Sequence, residues 1–413
     1  MRNRVALLIA GLLSLGAAAR ALAAADRQDT ASIERGRYLT ILGDCGACHN
    51  EPGNGTPFAG GRAIPTPFGQ MLAPNITPDG ETGIGDWSDD EFIDSLQKGT
   101  GRHGEPLYPA MPYSYFTHIT RDDAKAVRSY LATVSAVRHK VVANQLPFPF
   151  DVRLSMRAWD RLFFRPGRFK PSPQKSAEWN RGAYLVEGLE HCGMCHTPKN
   201  VLGGDKDSER LQGYAVQGWF APNISDNGYD GLGGWTVDDI VQYLKTGHNR
   251  MAAASGPMAE EVENSGALTT DADLHAIAVY LKDQPGGPAK PAPLAANDPA
   301  MRVGAVIYAD ECSACHTPNG SGVPGLFPTL PGAASVQSRQ PDSLLHVVLA
   351  GARSASTTGA PTAPAMPPFG WLLNDHQIAS VATYVRNAWG NAGSTVTEAE
   401  VGKVRKKLAQ TPQ

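Results

Sequence analysis

All six cysteines of this 413-residue chain fall into three copies of one pattern, Cys-x-x-Cys-His. The copies are Cys45-Gly46-Ala47-Cys48-His49, Cys192-Gly193-Met194-Cys195-His196 and Cys312-Ser313-Ala314-Cys315-His316. Two thiols at this spacing reach the two vinyl groups on one edge of a porphyrin, and the adjacent imidazole then reaches the iron. At this composition a chance copy is expected about two times in a thousand, so three copies are not accidental. The pattern implies three covalently bound haem c groups, with His49, His196 and His316 on the irons. Zinc would require two further ligands for each cysteine pair, and no cysteine remains to supply a cysteine-rich set.

A haem with both axial positions filled transfers electrons, whereas an open position invites oxygen or peroxide chemistry. The sixth ligand therefore decides the class. Met111 lies in LYPAMPYS, Met258 in ASGPMAEE and Met366 in APAMPPFG, each expected in a loop between the last two helices of its segment. Met111 follows His49 by 62 residues (111 − 49), Met258 follows His196 by the same 62 (258 − 196), and Met366 follows His316 by 50 (366 − 316). The shared interval selects Met258 over Met251. A methionine is ordinarily core filler; the threefold order of motif, helix, methionine loop and helix reverses that expectation. His/Met ligation favours ferrous iron and raises the potential relative to bis-His ligation. His103, His118, His139, His191, His248, His275, His346 and His376 are left with surface or packing roles.

Nothing else in the chain has the pattern of a catalytic site. There is no GxGxxG fingerprint, Walker loop or HExxH. Asp89, Asp90 and Glu91 sit at a helix start, where favourable interaction with the helix dipole explains them. No catalytic residue is expected, and substrate chemistry is assigned to a partner.

The elements that position the motifs repeat with them. RGRYLTILGDCGACH, RGAYLVEGLEHCGMCH and VGAVIYADECSACH each carry a helical apolar pattern ahead of the motif, with Gly36, Gly182 and Gly304 at the place where a missing side chain permits close helix contact. Ser88 with Glu91 and Thr236 with Asp239 are capping-box starts, and Gly99 and Gly247 are C-cap stops. PDSLLHVVLAG, ending at Gly351, corresponds in the third unit. A last helix follows in each, with Tyr130, Tyr280 and Tyr384 at matching positions.

Strand signals are sparse, so the chain reads as all-α, with the haem supplying much of each small core. The expected organisation is a signal peptide over 1–23, domains over 26–145, 176–284 and 299–392, Pro-rich linkers over 146–175 and 285–298, and a C-terminal tail over 393–413. Trp159, Leu162, Phe163 and Phe164 of the first linker are expected to bury against a neighbouring domain, and the tail to form an amphipathic helix.

The basic start, leucine-rich middle and small-residue end of residues 1–23 read as a secretory signal. Its removal takes Arg2, Arg4 and Arg20 and no acid, shifting the formal charge from −3 to −6. No basic stripe points to nucleic acid. Beyond this segment no stretch approaches the roughly 18 apolar residues of a membrane helix. Export to a periplasm agrees with the chemistry, because haem attachment outside the cytoplasm needs thiols that are kept reduced.

The chain resembles the triheme cytochrome c subunits of bacterial membrane-bound dehydrogenases, including the alcohol, gluconate, sorbitol, fructose and FAD-dependent glucose enzymes and the cytochromes accompanying molybdenum hydroxylases. The resemblance is carried by SAEWNRGAYLVEGLEHCGMCHTP, the paired APNIT/APNIS loops, LYPAMPY, GPMAE and RAWDRLFF. It implies three tandem class I cytochrome c domains. It assigns thioether roles to Cys45, Cys48, Cys192, Cys195, Cys312 and Cys315, proximal ligation to the motif histidines, and distal ligation to Met111, Met258 and Met366. It further implies electrons arriving from a dehydrogenase catalytic subunit of PQQ, FAD or molybdenum type and leaving to ubiquinone or a terminal oxidase, with peripheral attachment to a membrane. A free-standing periplasmic carrier and a haem peroxidase are the competing classes.

Overall fold

The structure, a computed structural model, describes residues 30–53 and 55–410. The expected signal peptide lies outside the described residues. The chain divides into two compact units, Met1–Phe169 and Lys170–Gln413. The first carries one Cys-x-x-Cys-His motif and the second carries two.

In the first unit, helix α1 (Thr30–Leu42) leads into the short helix Cys45–His49. Helix α2 (Asp89–Lys98) starts at Ser88, whose hydroxyl accepts from the Glu91 N–H while the Glu91 carboxylate accepts from the Ser88 N–H. It stops at Gly99, in the left-handed conformation at φ 61°. Helix α3 (Arg121–Leu131) then packs across α1. Arg35 pairs with the buried Asp123 across that crossing.

Residues 146–169 belong to this unit. Helix α4 (Met156–Phe163) lays Trp159 against the Tyr113 ring, with centroids 6.5 Å apart, and Phe164 follows at 5.1 Å. The Tyr113 hydroxyl donates to Asp160 Oδ1 at 2.6 Å. Leu162 is not covered and remains 58% exposed.

The second unit repeats this scheme twice. Helix α5 (Ala177–Tyr184) precedes the second motif, and α6 (Val237–Thr246), α7 (Pro257–Asn264) and α8 (Asp271–Leu281) follow it. Thr236 and Asp239 form the expected capping box, Gly247 ends α6 at φ 80°, and Arg181 pairs with Asp273 at 2.7 Å where Arg35 pairs with Asp123. Helix α9 (Pro299–Ile307) precedes the third motif, followed by α10 (Asp342–Ala350), α11 (Asp375–Asn387) and α12 (Glu398–Gln410). α12 buries Val401 and Val404 in the core formed by α10 and α11, and Arg405 fixes it to Asp375 at 2.8 Å. The C-terminal segment is therefore amphipathic, as expected, and its apolar stripe packs on the protein itself.

The expectation of an all-α chain is corrected. The fold is mixed, with three two-stranded antiparallel ribbons among the described residues: β1 (Ala63–Thr66) with β2 (Gly69–Leu72), β3 (Tyr214–Val216) with β4 (Trp219–Ala221), and β5 (Ala352–Arg353) with β6 (Ala365–Met366). These stretches are rich in Gly and Pro, a composition that reads as loop. Two of them close locally. Gln217 and Gly218, both at positive φ (50° and 87°), give the two-residue turn whose twist matches the flanking strands. The third pairs Ala352 with Met366 across a long excursion that no local pattern announces.

No helix among the described residues is long and apolar enough to cross a membrane.

Candidate haem sites

Each motif follows its leading helix through a distorted turn that aims the cysteines. Asp44 and His191, immediately before Cys45 and Cys192, both take left-handed backbone conformations, at φ 42° and 38°. The second and third motifs are also preceded by one turn of wide π-type helix, Leu185–Leu189 and Tyr308–Cys312, a distortion common at functional sites. None of the six cysteines is in a disulfide. Burial pushes the Cys45 thiol up to about 12 and Cys312 up to about 11, and raises Cys192 well above its ordinary value. A redox-active dithiol needs a lowered thiol pKa. The first cysteine of each pair has the reverse, raised chiefly by burial, which disfavours that chemistry.

The histidines are oriented by groups the sequence reading did not single out. His49 Nδ1 lies 2.7 Å from the Pro74 carbonyl oxygen, and His196 Nδ1 lies 2.7 Å from that of Pro222. A carbonyl only accepts, so the ring proton sits on Nδ1 and the lone pair on Nε2 is free for a metal. Pro328 plays the corresponding part beside His316, where the geometry falls short of a full hydrogen bond. Burial lowers the pKa of all three rings and keeps them neutral. The sequence signal for Pro74 and Pro222 is the APNI segment that the first two repeats share, whereas Pro328 lies in an unrelated LFPTLPG segment. A neutral imidazole presenting Nε2, beside two thiols at vinyl spacing, fits iron protoporphyrin and its thioether bonds.

The methionines stand in three settings. Met111 precedes the short helix Tyr113–Phe116, with its carbonyl accepting from the Tyr113 N–H at 2.8 Å. Met258 lies in the first turn of α7, half-buried against Ala254, Ala259, Val262 and Ala355. Met366 is in strand β6, against the core that also takes Cys312. Of the three positions expected in loops, Met258 and Met366 are thus in a helix and a strand, and Met111 stands outside both. In each repeat the glycine ending the middle helix abuts the methionine segment. A Cβ on Gly99 would lie 2.7 Å from the Tyr113 ring, one on Gly247 3.6 Å from Val262, and one on Gly351 2.7 Å from the Met366 carbonyl oxygen.

The other histidines are engaged elsewhere. His139 Nδ1 is 2.8 Å from the Ala59 carbonyl, His275 is 2.7 Å from Glu178, and His376 is 2.9 Å from Glu398. His346 stacks on Trp219 with centroids 3.9 Å apart.

Thiols at porphyrin spacing, carbonyl-oriented imidazoles and the repeated helix pairs define the class: these are the features of a c-type cytochrome. The comparisons agree. The cytochrome c family matches residues 33–135 and 302–389. The chain is 39% identical to the gluconate 2-dehydrogenase cytochrome c subunit of Pantoea cypripedii, over 98% of this chain and 96% of that protein. It is 37% identical to the fructose dehydrogenase cytochrome subunit of Gluconobacter japonicus, over 92% of this chain and 84% of that one. It is also 37% identical to the cytochrome c subunit of the alcohol dehydrogenase (quinone) of Gluconacetobacter polyoxogenes, over 94% and 87% respectively. The chain belongs to the family of cytochrome c subunits of such dehydrogenases, with electron transfer through covalently bound haem c as its role.

Proposed function

We propose that this protein is a periplasmic electron-transfer subunit carrying three haem c groups, one on each Cys-x-x-Cys-His motif, within a dehydrogenase complex. The observation that carries the reading is the repeated site. Three times a motif follows a glycine-crossed helix and is followed by a methionine segment against a C-cap glycine, and each histidine has a proline carbonyl beside Nδ1.

Bound haem supplies a one-electron ferric/ferrous couple, which the protein tunes through axial ligands and surroundings. The chain's residues do the rest. The proline carbonyls orient His49 and His196, and Pro328 stands beside His316, so these neutral imidazoles would hold the haem iron on one side and Met111, Met258 and Met366 would hold it on the other, which suits electron transfer rather than peroxide chemistry. Ligands that stay in place in both oxidation states make the transfer fast, since little has to reorganise.

The electron donor is a catalytic subunit holding PQQ, FAD or a molybdenum cofactor, and the acceptor is ubiquinone or a terminal oxidase. The length over which the dehydrogenase cytochrome subunits align supports the donor class. Affinity purification of the tagged protein from its native host, in mild detergent at low salt, tests the assignment. A large flavin-, PQQ- or molybdenum-containing subunit should copurify. Recovery of the haem protein alone would instead favour a free-standing carrier.

A further inference from the structure

The methionine segments of the second and third repeats are packed into one another. Ala355, two residues past strand β5, is 0% exposed and closes a small apolar cluster with Ala254, Ala259 and Val262, against which Met258 packs. A Cβ on Gly247, the end of α6, would lie 2.6 Å from the Ala355 Cβ. On one side of Ala355 the Ser356 N–H donates to Glu263 Oε1 at 2.7 Å, so the β5 segment is tied to α7 itself. On the other, the Ser354 N–H donates to the Pro364 carbonyl at 2.9 Å, closing the ribbon on which Met366 sits. A second joint supports the first. Trp219 stacks on His346 of the third repeat, and its indole also lies where a Cβ on Gly256 would be, 2.7 Å from Cζ2, immediately ahead of Pro257 and Met258. The Phe220 N–H donates to Ser343 Oγ at 2.8 Å beside it.

We propose that Ala355, a residue of the third repeat, is a positioning residue for the second haem: it seats α7 so that Met258 is held in place, and the second centre is complete only when the third repeat is docked on it. The inference rests on the reading of Met258 as a distal ligand. It has a physical motive within the sequence, because Met258 stands in the first turn of a helix whose N-cap, Gly256, supplies no side-chain cap, and without the following proline that stiffens the backbone after Met111 and Met366. What the local sequence does not fix, the neighbouring repeat does. A close-packed joint of this kind responds to added volume by moving the helix, since interiors have little void to absorb it.

The test uses the full-length, haem-loaded protein. The methionine-sulfur-to-iron charge-transfer band of each ferric haem is first assigned from difference spectra of Met111→Ala, Met258→Ala and Met366→Ala. Ala355→Leu should then abolish the band assigned to Met258 and bring that haem's midpoint potential down to the value in Met258→Ala, with the first haem unchanged. Ala355→Gly, which keeps the joint free of added volume, should retain both signals. A folded Ala355→Leu protein with the second haem's band and potential intact would overturn the proposal, as would a change confined to the third haem. If Ala355→Leu fails to fold, the surface variant Glu263→Ala decides: a lowered second potential supports the joint, and an unaltered one rejects it. Failure of Met258→Ala to change any band would reject the ligand reading itself, which is a separate result.

Discussion

Gly182 faces the Ala276 carbonyl oxygen across the α5–α8 crossing so closely that a Cβ placed on it would lie only 2.8 Å from the Tyr280 Cβ. Gly36 meets Ala126 and Tyr130 in the same way, at 2.9 Å from the tyrosine Cβ, and Gly304 meets Ser380 and Tyr384 at 2.5 Å. Each crossing sets the angle of the helix that delivers a Cys-x-x-Cys-His motif. Because the opposing atoms include backbone, the crossing can yield only by moving a whole helix. Gly182→Val is therefore expected to destabilise the protein by about 3 kcal/mol or more, the upper part of the overpacking range. Denaturant unfolding of the haem-loaded variant checks it, and a midpoint equal to the wild type's would reject the contact.

Met366→Ala should open the third haem's distal position. The ferric sulfur-to-iron band of one haem is expected to disappear and its potential to fall by on the order of 0.1 V, a modest part of the span that axial ligands control. Spectroelectrochemical titration reads both. An unchanged titration curve would count against Met366 as a ligand.

Replacing both Cys312 and Cys315 by alanine should leave two covalently bound haems per chain. Intact-mass measurement gives the count directly. Retention of three would show that the third motif is not an attachment site.

Glu261 ties one part of the second unit to pH. Its Oε2 is shielded from solvent without a hydrogen-bond partner, and burial pushes its pKa from 4.5 up to about 7. Above pH 4.5 the unfolded chain has released this proton while the folded one retains it, so stability is greatest below that point and falls as pH rises to about 7. The loss is on the order of 3 kcal/mol. Glu261→Gln should remove this slope, so unfolding midpoints measured at about pH 5 and about pH 8 should differ less than in the wild type. Equal slopes in the two proteins would place the carboxyl in water.

Chemistry written into short-range spacing was legible directly. The thiol pairs, their histidines, the capping boxes at Ser88 and Thr236, the C-cap glycines and the glycine at each helix crossing follow from contacts within a few residues or from a pattern repeated in register. Ligation by the methionines was inferred from the interval each keeps behind its motif, and the structure supplies the glycine at each helix end that abuts their segments. The strands were missed because a ribbon such as Ala352 with Met366 joins residues far apart in sequence, and the turn at Gln217-Gly218 was hidden among similar loop residues.

The sequence by itself therefore determined the cofactor chemistry, since covalent attachment depends on residue types at fixed local separation. Only the tertiary structure decided how the centres are held. Pro74 lies 25 residues from His49 and Pro222 26 from His196, yet each carbonyl fixes an imidazole proton. Ala355 reaches α7 from another repeat, and α12 turns its apolar stripe inward onto α10 and α11. Such contacts pair surfaces whose complementarity no local periodicity encodes. They exist only once the chain has folded and the loss of its conformational freedom has been offset by the packing of distant segments.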